Sequence, residues 1–169
     1  MVKSGVGVLI KKIYPDASRL LIGRRTGSHA AGVLCFPGGH FEDGDGEDGI
    51  VDETFADCCE RESEEEAGMI VKAVAFDPPG REEIFCTYLN LGTVEEPKRY
   101  TTPYYLANYV SGGTFDGYKV KPGEPKKFIG WWEFITLDEL VERLKTESPE
   151  VKAWIPIESI LHYRAELGL

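Results

Sequence analysis

No apolar run in this chain approaches the ~20 residues that a membrane-spanning helix needs. The opening stretch, MVKSGVGVLI, has neither the long apolar segment nor the small-residue cleavage site of a secretory leader, so none is expected. Clustered Lys and Arg are missing too. With 19 basic and 29 acidic residues the formal charge is −10. That argues against nonspecific binding to nucleic acid and against anionic membranes. It leaves small phosphorylated ligands open, because a metal ion can stand between two anions. The four cysteines, Cys35, Cys58, Cys59 and Cys86, form no C-x-x-C pair. They read as reduced thiols of a cytoplasmic protein. Internal repeats and low-complexity tails are also absent.

What is present is ordinary in bulk. A chain of 169 residues, 42% of them hydrophobic, reads as one domain over 1–169. Such a domain buries roughly 70% of its surface without help from disulfides. GVGVLIKKIY (5–14) reads as a buried strand and LLIGRR (20–25) as its hairpin partner, with VLCF (33–36) a third strand. A helix is expected from about Thr54 to Ala67, capped by Thr54 with Asp57 and stopped by Gly68. Strands are expected at 69–76, 84–91, 103–110 and 128–134, with a polar connector at 95–102 and a loop at 116–127. Thr136 to Glu139 is a capping box opening a short helix to about Lys145. A last helix begins near Pro156, with Ile157, Ile160, Leu161 and Leu167 on one side. The predicted class is α+β, a mixed β-sheet between helices in an α/β/α sandwich.

Two acidic stretches stand out. EDGDGEDGIVDE (42–53) fails as a calcium loop in both registers: starting at Asp43 puts Asp48 where Gly belongs, and starting at Glu42 puts Gly44 and Gly46 at ligand positions. It reads as a solvated loop. The second stretch is CCERESEEEAG (58–68). At about 100° per residue, Glu62, Glu65 and Glu66 share one helix face. Glu53, Asp57, Glu60 and Glu64 fall on the far side, towards water. Phe55, Ala56, Cys59, Ala67 and Ile70 form the stripe expected to meet the sheet, with Ser63 in its middle. The three clustered glutamates therefore border the helix–sheet seam. Two carboxylates about 6 Å apart repel by about 3 kcal/mol at an effective dielectric of about 20. A hard divalent cation, Mg²⁺ or Mn²⁺, removes that penalty. The plain alternative is a solvated acidic face balanced by Arg61.

The frame around these residues resembles the signature of the Nudix hydrolases. Gly38-Gly39 follows an apolar strand, Glu53 precedes Arg61, and the chain then runs Arg61-Glu62-x-x-Glu65-Glu66-x-Gly68. The box would span 39–69. It departs from the family pattern in two ways. Positions 40–52 separate Gly39 from Glu53, longer than the family's spacing, so residues 45–52 look like a loop insertion, which is thermodynamically cheap. Ser63 also replaces a hydrophobic residue. LLIGRRTGSHAAGVLCFPGGHFE (20–42) and WWEFITLDEL (131–140) are similar to segments of MutT-like nucleoside-triphosphate pyrophosphatases of the 8-oxo-dGTP type. The likeness is weakest between 70 and 128.

The resemblance implies Mg²⁺-dependent hydrolysis of nucleoside triphosphates, including oxidised purine dNTPs, to monophosphate and pyrophosphate, as in nucleotide-pool sanitation. By the same analogy Gly39, Glu62, Glu65 and Glu66 would hold the metal. Glu62 would be the base, or Glu124 from a later loop, and Arg61 would orient a carboxylate. Arg25, Gly38 and His40 would meet phosphates or sugar. Thr102 and Trp132, with Tyr104 and Trp131 as neighbours, would meet the base, and Cys35 sits where relatives carry a polar base contact. ADP-ribose, a nucleotide sugar or a dinucleoside polyphosphate is the alternative substrate; the start of the chain close to its first strand favours a smaller one. A non-enzymatic binding module, which typically loses box glutamates, is the third reading. Related enzymes are often homodimers, but no apolar helix face in this sequence demands a partner.

Overall fold

The central strand explains why the N-terminal apolar run alternates poorly. In the computed structural model Val6, Val8 and Ile10 of β1 (Lys3–Ile13) point to one face and Leu9 to the other, and all are buried. A strand covered on both faces reads as a continuous apolar run. The structure describes residues 3–26, 31–40, 53–74, 85–90, 99–121, 131–149 and 155–169.

Among the described residues the strands form one mixed sheet. They are β1, β2 (Ser18–Arg24), β3 (Leu34–Cys35), β4 (Gly38–His40), β5 (Met69–Ala73), β6 (Phe85–Asn90), β7 (Arg99–Gly112), β8 (Phe115–Asp116), β9 (Lys119–Val120) and β10 (Trp132–Ile135). The order is β5-β7-β1-β2-β10-β9-β8, with β3 on β2, β4 on β1 and β6 on β7. β1 and β7 run parallel, and the other pairs are antiparallel. One face is covered by α1 (Phe55–Ala67), over Val6, Val8, Ile10, Trp132 and Phe134. The other is covered by α2 (Leu137–Thr146), α3 (Ile157–His162) and α4 (Arg164–Leu167), through Leu140, Leu144, Ile160 and Leu167. This is the expected α+β sandwich, and no described helix is long and apolar enough to cross a membrane.

Both capping boxes form as read. Thr54 and Asp57 exchange bonds at the start of α1, and Thr136 and Glu139 do so at the start of α2. Gly68 ends α1 at φ 65°, the left-handed position glycine takes without strain.

Several elements differ from expectation. β7 begins at Arg99, so 99–102 is strand rather than connector; its run of Arg, Tyr and Thr is polar but pairs with β6. The loop expected from 116 contains half of a small hairpin, β8 and β9, turning through Gly117 at φ 61°. Gly38–His40 is a strand, because its backbone pairs with Gly5, Val6 and Gly7. The last helix breaks at Tyr163, and Leu161 is exposed rather than on the buried side. Of the last expected strand, 128–134, only 131–134 lies within the described residues, and the observed strand runs Trp132–Ile135.

Candidate active site

The site is built where α1 crosses β4. The register Val6↔Gly39 and Gly7↔Gly38 lays β4 on β1, and Val8 N–H donates to the Pro37 carbonyl at 2.8 Å. The two glycines are thus held by the most deeply buried strand of the sheet. α1 lies over them, with Glu62 and Glu66 one turn apart on its inner face. These residues are only 4% and 2% exposed. Gly38 N–H donates to Glu66 Oε2 at 2.9 Å. The Glu62 carboxylate packs so closely on Gly39 that a Cβ there would lie 2.0 Å from Oε1. Gly39→Ala must therefore push Glu62 aside. The displaced group is the end of a flexible side chain, so we expect the fold to survive with a change in stability of under about 1 kcal/mol. Turnover should fall at least about tenfold, the order expected when a ligating side chain loses its support; steady-state kinetics beside thermal unfolding checks this.

Arg61 organises the acids. Its Nε and Nη2 donate to the two oxygens of Glu53 at 2.7 and 3.0 Å. Nη1 donates to Glu62 Oε1 at 3.0 Å and to Glu65 Oε2 at 3.3 Å, and Nη2 also reaches the His40 carbonyl at 3.0 Å. Arg61 thus contacts Glu62 and makes the i,i+4 pair with Glu65 as well. The bond from Glu53, ahead of that from Glu62, holds the guanidinium still further above its ordinary pKa. Two acids were misplaced by the helical wheel. Glu53, expected to face water, is largely buried against Arg61, because it precedes the Thr54 cap and does not follow helical geometry. Glu60 is half-buried, accepts from Ala73 N–H at 3.1 Å and pairs with Lys72.

The buried face of α1 also shifts from the expected stripe. It is formed by Cys58, Cys59, Glu62, Ser63, Glu66 and Ala67, while Phe55 and Ile70 are partly exposed. Phe55 stacks on Tyr105 of β7 instead. Ser63 is accommodated in the core because its hydroxyl donates to the Cys59 carbonyl at 2.6 Å.

Cys35, Cys58 and Cys59 are free and buried, and burial pushes each thiol up to about 12. The unfolded thiols titrate near 8.5. Between those values the unfolded chain has lost protons that the folded chain keeps, so stability falls as pH rises, by up to about 1.4 kcal/mol per pH unit for each thiol. We expect the urea midpoint to drop between pH 8 and 10 and the drop to shrink in Cys35→Ala and Cys59→Ala. An equal drop in those variants would remove the thiols as its source.

The remaining expected site residues scatter. His40 is exposed and contributes its carbonyl to Arg61 and to the Cys58 thiol. Arg25 is half-buried, its N–H on the Val33 carbonyl, and its charge lowers the Cys35 pKa while that of Glu66 raises it. Thr102 is half-buried on β7, and Tyr104 is buried in the opposite core, edge-on to Phe36. Trp132, expected to meet a nucleobase, has no exposed surface. Its ring lies against Gly23, and its Nε1–H donates to the Glu66 carbonyl at 3.0 Å. The exposed tryptophan is Trp131. Glu124 and the 45–52 segment lie outside the described residues.

Among the described residues no three His, Cys, Asp or Glu side chains are grouped so as to hold a metal ion between them, and Glu65 is paired with Arg61. The donor chemistry nonetheless fits a hard divalent cation. Glu62 and Glu66 offer carboxylate oxygens from an almost wholly buried position, and Glu53, Glu62 and Glu65 all turn to one guanidinium. Such a concentration of negative charge at a seam is costly without a cation.

The chain belongs to the NUDIX domain family, whose model matches residues 3–166. Nudix hydrolases are pyrophosphatases that generally use divalent metals such as Mg²⁺. Solved structures of similar fold include the MutT protein of Methanosarcina mazei (TM-score 0.62, 18% identity, covering 98% of this chain and 94% of that one). The Ap4A hydrolase of C. elegans is also similar (0.56, 14%, 97% and 98%). So is the NUDIX domain of Shewanella oneidensis NrtR in complex with ADP ribose (0.56, 13%, 99% and 89%).

Proposed function

We propose that this protein hydrolyses nucleoside triphosphates, including oxidised purine dNTPs, to monophosphate and pyrophosphate, acting as one Nudix domain over 1–169 in the cytoplasm. The observation that carries this reading is the buried Glu62–Glu66 pair set against the backbone of Gly38 and Gly39. Mg²⁺ or Mn²⁺ held by Glu62, Glu65, Glu66 and the Gly39 carbonyl would neutralise charge on the phosphates and activate water. Gly38 N–H fixes the Glu66 carboxylate, and Arg61 donates to the Glu62 carboxylate where it packs on Gly39. Glu62 would take the proton of the attacking water, with Glu124 the second candidate for that role. Arg25 would bind the phosphates, whose geometry suits a guanidinium. Phosphoryl transfer asks for this kind of positioning and charge neutralisation more than for covalent help.

The Ap4A hydrolase and the ADP-ribose-bound domain among the similar structures make diphosphate conjugates the second substrate class. The test is phosphate and pyrophosphate release from the common (d)NTPs, 8-oxo-dGTP, ADP-ribose, a UDP-sugar and a dinucleoside tetraphosphate, with Mg²⁺ and with EDTA. Pyrophosphate from triphosphates only with Mg²⁺ is the expected result. Cleavage of the conjugates alone would overturn the substrate assignment, and no turnover at all would turn the reading towards a binding module.

A further inference from the structure

The ammonium of Lys12 sits in a cage of aromatic rings. Its Nζ lies 3.9 Å from the ring centre of Phe115 and 4.1 Å from that of Tyr109, with Tyr14 at 5.3 Å and Phe134 at 5.8 Å. Among the described residues no carboxylate or carbonyl accepts from it. Its hold is therefore the attraction of a cation for ring faces, which depends on the charge. Lys12 pairs across the strands with Arg19, whose guanidinium lies 4.0 Å from the ring centre of Tyr118. Arg19 is buried and is also tied to Asp16 and Glu139. Lys12 is half-buried and relies on the rings alone.

These contacts join separate elements. Phe115 lies in the β8–β9 hairpin and Tyr118 at its turn, while Tyr109 belongs to β7 and Phe134 to β10. Lys12 and Arg19 thus grip the hairpin from β1 and β2. The hairpin in turn backs the glutamate helix. Gly113 N–H, just ahead of β8, donates at 2.8 Å to the carbonyl of Gly68, which ends α1. Val120 of β9 pairs with Trp132, whose indole donates to the Glu66 carbonyl.

We propose that Lys12 is an acylation site through which the hairpin is released and turnover lowered. The donor class is an acyl thioester. The neutral amine attacks the thioester carbonyl, an N–C bond forms, the C–S bond breaks, and the leaving thiolate takes up the proton that nitrogen loses. Burial pushes the amine's pKa down, which favours that neutral form. The amide product has no charge for the rings to hold. The effect on turnover rests on the nucleotide-hydrolase reading above; release of the hairpin does not.

The folded full chain is incubated with acetyl coenzyme A at mildly alkaline pH, and its peptides are followed by mass spectrometry. Lys72 and Lys145, more exposed but each paired with a glutamate, are the references. Lys12 should be acetylated at least as fast as either. Amide exchange and kcat are then measured on the acetylated chain, Lys12→Gln and Lys12→Arg; acetylation after folding covers a variant that fails to fold. Loss of cation–π contacts of the usual size should raise exchange across 115–120 at least about threefold in Lys12→Gln and the acetylated chain, with Lys12→Arg close to wild type. Turnover should fall at least about twofold in the same two proteins, the lower end of coupling between distant sites. Acetylation slower than at both references, unchanged exchange without the charge, equal loosening in Lys12→Arg, or unchanged turnover beside a loosened hairpin would overturn the proposal. Charge-dependent exchange in a protein that turns over no nucleotide would uphold the release and overturn the hydrolytic reading instead.

Discussion

Glu66→Gln should lower Mg²⁺-dependent turnover at least about a hundredfold, equivalent to about 2.7 kcal/mol of barrier, without unfolding the protein. The two halves of this expectation have one cause. Glu66 is almost fully buried, and its Oε2 accepts from Gly38 N–H. A glutamine carbonyl keeps that bond, so the local geometry has little reason to move. What disappears is a negative charge one helical turn from Glu62. Repulsion between two such charges amounts to about 3 kcal/mol at about 6 Å and a dielectric of about 20. In EDTA the variant should therefore melt no lower than wild type. Saturating Mg²⁺ should reverse the order, since a cation at a hundred times its Kd adds about 2.7 kcal/mol to the state that binds it. Thermal unfolding with and without Mg²⁺, beside kcat, reads all of this. Retained turnover, or an equal Mg²⁺-induced rise in Tm for both proteins, would place the metal elsewhere.

Trp132→Ala should cost about 3–5 kcal/mol of stability, the range for removing a large buried aromatic. The side chain has no exposed surface, packs in one core with Phe134, Val8 and Ile10, and donates to the carbonyl of Glu66. Gly23 beneath it has no room for a side chain: a Cβ there would lie 2.5 Å from the indole ring. The gap left by alanine cannot readily be filled from that side. Trp132→Phe should retain the fold, lose the bond to Glu66, and leave KM for nucleotide unchanged. Urea midpoints and KM values together check the point. A loss of stability under about 1 kcal/mol in the alanine variant, or a large KM effect in the phenylalanine variant, would return Trp132 to the role of base contact.

Much of this architecture could be read from the chain because it is enforced locally. Thr54 with Asp57, Thr136 with Glu139, and Gly68 are short-range devices whose partners lie within one turn. The seam position of Glu62 and Glu66 followed from helical spacing alone. What could not be read was decided by distant backbone. Gly38–His40 becomes a strand only because Gly5 to Gly7 lie beside it. Arg99 to Thr102 is strand because β6 pairs there, against a composition that suggests a connector. The choice between Trp131 and Trp132 depends on the register Glu133↔Ile22, which sets which face of the sheet each residue meets. A one-residue change in that register would exchange them.

The contacts of Arg61 have a consequence for how the length of this chain can vary. One guanidinium grips the His40 carbonyl on one side and the Glu53 carboxylate on the other, and these residues bracket positions 41–52. The two ends of that segment are thereby tied by the same group that aligns Glu62. Lengthening a segment whose ends are already pinned adds only loop-closure entropy, about 0.6 kcal/mol per doubling. The contacts of Glu62 are insulated from what is inserted between the pins. A staple of this kind lets a lineage change the length of the segment while those contacts stay fixed.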